Sequence, residues 1–319
     1  LWIKLFGESN RVLRLLSVIF GLATILAVFF LGRKMFDEKI GLAAAGVLAI
    51  LPLHIQYSQE IRPYALSVLL VTLASWVYWR AYQAVGQREE RRYWLLYTGL
   101  AAASFYTHYF TPGIFLAHGL FALMQPRSLR LALVKRLGLV AVVSLALLMP
   151  WLFGHYLTDQ WQFLKVQTPS PPFWAPDLHR RLAFLAYYLS AGNLPGANLK
   201  SISGLILFTL YITSAPTLIS IARRHEKPQA LLFAFLLLSL PILFAISMGA
   251  AFDKVVVIAL PRYVLGALVG LSILFGVAIM RSRRRAAPFL IAGLAIALSL
   301  QFQAQWHHVN TCLLYTSPS

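Results

Sequence analysis

Ten apolar runs, separated by short polar loops, constrain this chain more than any other feature. They fall at about 13–31, 40–56, 63–82, 94–108, 111–124, 137–156, 202–222, 230–248, 263–280 and 288–305. A hydrocarbon core of about 30 Å needs about 20 helical residues to cross it, and most of these runs are near that length. The fourth and fifth are short, so a tilted helix or a re-entrant segment is expected there. Lipid offers the backbone no hydrogen-bond partners, so the spans must be helices or a closed barrel. The ten-residue alternation of a barrel strand is missing. The chain of 319 residues is 59% hydrophobic and 12% charged, against about 45–50% and about 25% in soluble domains. The expectation is an all-α polytopic membrane protein with about ten transmembrane helices. Residues 14–305 form its bundle, 1–13 the end of an extracytoplasmic loop, 157–201 a long extracytoplasmic loop, and 306–319 a short tail.

The formal net charge is +18. Its carriers are scattered between apolar runs and build no basic domain, which argues against nucleic acid as a partner. Eighteen of the 28 basic residues sit in one set of short loops: Arg33 to Lys39, Arg80 to Arg92, Arg127 to Arg136, Arg223 to Lys227 and Arg281 to Arg285. The positive-inside rule makes that set cytoplasmic. Loop 157–201, the turn holding Glu60 and the segment before Arg262 then share the extracytoplasmic face.

Both ends of the sequence are unusual. It starts at Leu1 rather than methionine, and an even number of spans with the N-terminus outside leads us to expect a missing upstream helix, hence an N-terminally truncated fragment. Residues 311–319 (TCLLYTSPS) break from the preceding style and are read as non-native. They carry the one cysteine, Cys312, so no internal disulfide or cysteine metal cluster is available.

Polar residues concentrate at the extracytoplasmic face. Tyr57-Ser58-Gln59-Glu60-Ile61-Arg62-Pro63-Tyr64-Ala65-Leu66 places a carboxylate, a guanidinium, an amide, a hydroxyl and two phenols between two spans, and ionisable groups at such a boundary are costly enough to suggest a site. Pro63 suits the first turn of a helix, so one reading makes Glu60 and Arg62 an ion pair capping it; the other aims both at an anionic or hydroxylic ligand. Pro261-Arg262-Tyr263 opens the ninth span, and arginine there can clamp a phosphate or snorkel beside a belt tyrosine. His108, within Tyr106-Thr107-His108-Tyr109, is a further candidate beside its reading as a hydrogen-bonded structural histidine. His54 lies about a turn before the motif and could orient Glu60. In loop 157–201 a proline-rich run precedes a segment, 178–189, mixing Arg180 and Arg181 with apolar residues, the pattern of an interfacial helix near lipid phosphates. Phosphate-cradling glycine loops, HExxH and GxSxG are absent. No cofactor is required. Glu60 and the histidines could bind a divalent cation, but no ligand spacing demands one.

Arg14-Leu15-Leu16-Ser17, Leu31-Gly32-Arg33-Lys34-Met35-Phe36, and above all the run from Pro52 through Ser58-Gln59-Glu60-Ile61-Arg62-Pro63-Tyr64 to Leu66 resemble bacterial family 39-type membrane glycosyltransferases. These belong to the C-type superfamily and are related to protein O-mannosyltransferases and the lipid A aminoarabinose transferase. Tyr106 to Tyr109 and Pro261 to Tyr263 fit the same order. The resemblance spans about residues 1–305 and implies a C-type helical bundle in a bacterial inner membrane. Such enzymes move a sugar from a polyprenyl-phosphate donor to a hydroxyl acceptor at the outer face. It also implies a catalytic Asp in a first outer loop. Glu8 does not match that motif, so no residue of this sequence is assigned as the base, and the fragment is expected to be inactive. Glu60, Arg62, Tyr64, Arg262 and Tyr263 become the expected sugar- and phosphate-binding residues, with Tyr57, Gln59, His54, His108, Arg180 and Arg181 as further candidates and membrane lipids as neighbours. Rival readings are a lipid or sugar transporter, which predicts inverted repeats and midplane charges, and a non-catalytic membrane scaffold.

Overall fold

The structure is a computed structural model that describes residues 2–7, 9–157, 209–210, 214–224, 226–251, 261–282, 288–293, 295–297, 299–300 and 303. Loop 157–201 beyond Leu157, with its proline-rich run, Arg180 and Arg181, lies outside the described residues, as do Cys312 and residues 311–319. Among the described residues every regular element is helical. In chain order these are α1 (Trp2–Phe6), α2 (Asn10–Met35), α3 (Glu38–Ile50), α4 (Pro52–Tyr57), α5 (Tyr64–Gln83), α6 (Glu90–Thr107), α7 (Pro112–Leu123), α8 (Arg127–Leu157), α9 (Pro228–Ala251) and α10 (Ala267–Arg281). A 3₁₀ turn, Pro261–Tyr263, precedes α10, and residues 214–223 are also helical.

Local chemistry sets several boundaries. The Ser9 hydroxyl accepts a bond from the Val12 N–H at the start of α2, and Arg33 and Lys34 occupy its last turn, where the helix dipole favours cations. Asp37 caps α3 through the Ile40 N–H at 2.9 Å. Pro52 keeps Leu51 out of the helical region (ψ 124°), so α3 ends there and Pro52 opens α4. The expected single span 40–56 is therefore two helices, a correction that this proline accounts for. Pro150 and Pro241, by contrast, sit inside α8 and α9.

Among the described residues, four helices are long and apolar enough to cross a membrane: Val12–Met35, Tyr64–Gln83, Arg127–Gly154 and Pro228–Ala250. Helices α3, α6, α7 and α10 cover other expected spans, but with 13, 18, 12 and 15 residues; α6 begins on the polar run Glu90-Arg91-Arg92. The expected seventh span is described only in part.

Helix α2 packs on α3 and α5, α3 on α10, α5 on α6, and α9 on both α7 and α10. Apolar side chains gain little from leaving lipid for protein, so close backbone approach and internal hydrogen bonds must hold such a bundle. Both occur here. A Cβ on Gly270 would lie 2.6 Å from the Ala234 carbonyl oxygen, and one on Gly41 would lie 2.7 Å from that of Phe29. At the centre, fully buried His118 receives two side chains, with its Nδ1 at 2.7 Å from the Tyr97 hydroxyl and its Nε2 at 3.0 Å from the Ser75 hydroxyl. The Tyr78 hydroxyl donates to the His118 carbonyl, and the Tyr78 ring stacks on the imidazole at 4.6 Å. This network joins α5, α6 and α7.

Helices α5 and α6 run antiparallel, which separates two ends. Tyr64 at the start of α5 meets His108 just past α6 (5.6 Å), whereas Arg80 near the end of α5 meets Tyr93 early in α6 (4.9 Å). At the basic end Arg281 bridges Asp37 (3.1 Å) and Glu226 (3.6 Å), and Lys227 donates to the terminal carbonyls of α2. The opposite end is aromatic.

Candidate functional site

The site at the aromatic end starts from the turn between α4 and α5. That turn is pinned to α2 twice. The Ser17 hydroxyl donates to the Glu60 carbonyl at 2.7 Å, and the His54 Nε2 lies 3.2 Å from the Gly21 carbonyl. His54 is buried, so its role is to anchor α4, and no bond from it to Glu60 forms among the described residues. Nor does a Glu60–Arg62 ion pair form among them. Pro63 caps α5 without a side-chain bond. The capping arrangement expected for this pair is thus not the one adopted. Gln59 and Arg62 are exposed, and Glu60 is half-buried.

The phenols and the second arginine converge. Tyr57 meets Tyr64 edge-on at 5.2 Å, Tyr64 meets His108, and His108 stacks on Tyr109 at 4.9 Å. From the other side of the sequence the 3₁₀ turn brings in Tyr263, whose ring stacks on Phe110 at 4.3 Å. Arg262 lies with its guanidinium 5.1 Å from the Tyr263 ring centre, and its Nη2 donates to the Tyr263 hydroxyl at 3.2 Å. The Tyr109 hydroxyl donates to the same oxygen at 3.3 Å. That oxygen therefore accepts twice, which leaves its own proton to donate elsewhere.

Tyr64, His108, Arg262 and Tyr263 line a tight pocket of about 20 Å³ together with Ser67 and Thr111, over an apolar wall of Val68, Val71, Ile114 and Pro241. Arg262 is the one charged residue among those lining it. Burial, and then the neighbouring Arg262 guanidinium, pulls the His108 imidazole down to about 4, so it is neutral at pH 7. The Phe110 N–H donates to His108 Nδ1 at 3.3 Å, which places the ring proton on Nε2. Burial, reinforced by Glu60 and Tyr64, raises the Tyr57 phenol to about 12; burial also raises Tyr109. The pocket thus offers a permanent cation, phenol and hydroxyl donors and a neutral imidazole, with no carboxylate among the described residues that line it. An anion carrying hydroxyl-rich substituents meets complementary groups here.

Five of the residues expected from sequence come together: Tyr57, Tyr64, His108, Arg262 and Tyr263. Glu60 approaches through Tyr57. Gln59 and Arg62 stay exposed at the turn, and His54 serves the scaffold. Tyr109, Phe110, Thr111 and Ser67 were not anticipated. The first three follow His108 directly, so the aromatic run itself carried the signal. Thr111 closes the α6–α7 turn by donating to the His108 carbonyl at 2.8 Å. Among the described residues no three His, Cys, Asp or Glu side chains gather as a metal site would require.

The profile of the dolichyl-phosphate-mannose-protein mannosyltransferase family matches residues 1–153 of the chain. No curated protein matches it. Among solved structures it is similar to the oligosaccharyltransferase of Archaeoglobus fulgidus. With the form complexed with zinc and sulfate it shares 16% identity at a TM-score of 0.48, over 99% of this chain and 46% of that one. With the form tethered to an acceptor peptide the values are 14%, 0.48, 94% and 45%. The chain therefore spans less than half the length of these solved relatives.

Proposed function

We propose that this chain transfers a sugar from a polyprenyl-phosphate donor to a hydroxyl acceptor, at the extracytoplasmic face of a bacterial inner membrane, with the aromatic-end pocket holding the donor's phosphate. The observation that carries the reading is Arg262. It lies in a pocket otherwise lined by neutral groups, is oriented by Tyr263, and has no carboxylate partner among the described residues. The match of residues 1–153 to a family described as using a lipid-phosphate sugar supports it, as does the set of helices able to cross a membrane.

In the reaction the acceptor oxygen bonds to the anomeric carbon as the bond from that carbon to the phosphate oxygen breaks. The acceptor proton passes to a base, and the departing phosphate gains negative charge. Catalysis is served by groups that bind phosphate more tightly as that charge grows. Arg262 does this through its guanidinium, and the neutral His108 Nε2–H and the Tyr263 hydroxyl can donate without adding charge. Tyr57 and Tyr64 offer ring faces and hydroxyls to the sugar. Arg62, exposed on the turn, contributes a second cation toward the approaching phosphate, and Glu60 holds its place beside Tyr57. None of these residues is assigned as the base.

Transfer of labelled sugar from a polyprenyl-phosphate donor in proteoliposomes tests this. Arg262→Ala and Arg62→Ala are each expected to reduce transfer at least about tenfold, equivalent to about 1.4 kcal/mol of transition-state stabilisation. Unchanged rates in both variants would remove the phosphate-binding assignment.

A further inference from the structure

A second cationic cluster lies at the basic end, remote from the pocket. Some of the described cations there are engaged by carboxylates or backbone carbonyls. Arg281 is paired with Asp37 and Glu226, Arg136 with Glu90, and Lys227 with the carbonyls ending α2. Arg80 and Lys34 are not: among the described residues neither has a carboxylate within 4.0 Å. Arg80 is nevertheless held in place. Its guanidinium lies 5.6 Å from the Trp76 ring and 4.9 Å from the Tyr93 ring, an arrangement that fixes a cation without neutralising it. Arg80, Lys34 and Tyr93 line a cavity of about 350 Å³, rimmed by Gln83, Gln87 and Glu89.

An apolar track leads into this cavity. Leu22, Leu26 and Phe30 are spaced by four along α2, so they share one face with Lys34. All three are substantially exposed, at 59%, 60% and 43%. Phe30 meets Trp76 at 5.9 Å, and Trp76 stands four residues before Arg80 on α5. The exposed α2 face therefore runs alongside the aromatic that supports the guanidinium. Apolar surface that ends in two unpaired cations is complementary to an amphiphile with an anionic head.

We propose that the Arg80–Lys34 cavity binds the headgroup phosphate of an anionic phospholipid, with an acyl chain lying along Leu22, Leu26 and Phe30. Arg80 takes the phosphate oxygens, Lys34 adds a second charge, and Gln83 and Gln87 reach the remaining headgroup hydroxyls. The site is independent of the donor pocket and uses none of its residues.

The test is lipid binding to the whole purified chain in neutral detergent, followed by native mass spectrometry. It uses short-chain phosphatidylglycerol, phosphatidylcholine with the same acyl chains, and inorganic phosphate. Phosphatidylglycerol should bind more tightly than phosphatidylcholine. Arg80→Gln and Lys34→Gln should each weaken it by about fivefold, whereas Arg127→Gln, a basic-end control, should not. Lys34 is exposed, so its variant keeps the test valid even if Arg80→Gln fails to fold. Equal affinity for the two lipids, or undiminished phosphatidylglycerol binding in Lys34→Gln, would overturn the proposal. Displacement of the lipid by inorganic phosphate at equal concentration would also overturn it, since it would reveal a site for the free anion.

Discussion

Arg262 and His108 show how neighbours set the character of a side chain. Arg262 keeps its charge available because its partners are phenols, and His108 stays neutral because burial and Arg262 both disfavour its protonation. The second effect has a consequence for stability. The folded-state value, about 4, lies below the unfolded value of about 6.5, so the unfolded chain binds the extra proton across that interval. Stability must then fall as pH falls from about 6.5 to about 4. His108→Gln should lose less stability than the parent over that range in pH-dependent thermal melts. At Tyr263, removing the hydroxyl takes away the hydrogen bond that holds Arg262. Tyr263→Phe should weaken donor binding by a few-fold while leaving melting nearly unchanged, since the ring still stacks on Phe110. The run 57–66 and the tripeptide Pro261-Arg262-Tyr263 were legible as candidates because charge is conspicuous in so apolar a chain. That Arg62 and Arg262 differ in burial was not legible, because only the 3₁₀ turn and the α6–α7 turn decide which of them is covered.

Among the helices, contact is governed by small residues and by the His118 network. A side chain at Gly270 would collide with α9 backbone, and such overpacking costs about 1–3 kcal/mol. Gly270→Val should therefore lower the melting temperature of the detergent-solubilised protein. Gly46→Ala and Gly99→Ala, where a Cβ meets nothing within 4 Å, should be neutral or mildly stabilising, because alanine is the better helix former. Tyr97→Phe leaves His118 Nδ1 without its partner and should cost about 1 kcal/mol, seen as a lowered melting midpoint. Apolar periodicity located most helices, since α2, α5, α8 and α9 have length enough to be unambiguous. It could not foresee the break at Leu51, where a proline overrides continuous hydrophobicity, nor a histidine embedded in α7 whose partners come from two other helices.

At the scale of the described bundle, two chemistries occupy opposite ends. One end gathers aromatic rings around Arg262; the other gathers ion pairs and the Arg80–Lys34 cavity. The distribution of lysine and arginine along the sequence already divided the loops into two sets, and the structure places members of each set together. The expected donor site draws on α4, α5, the α6–α7 turn and the turn before α10, so residues some two hundred positions apart must meet. Spacing alone could not show that. The central claim is that the aromatic end binds a lipid-linked phosphate. Its most direct test is the dissociation constant of the purified protein for a polyprenyl phosphate, measured by competition against a fluorescent analogue. Arg262→Ala should raise that constant at least about tenfold, and Arg127→Ala, at the opposite end, should leave it unchanged. Equal affinity in the Arg262→Ala variant and the parent would contradict the account.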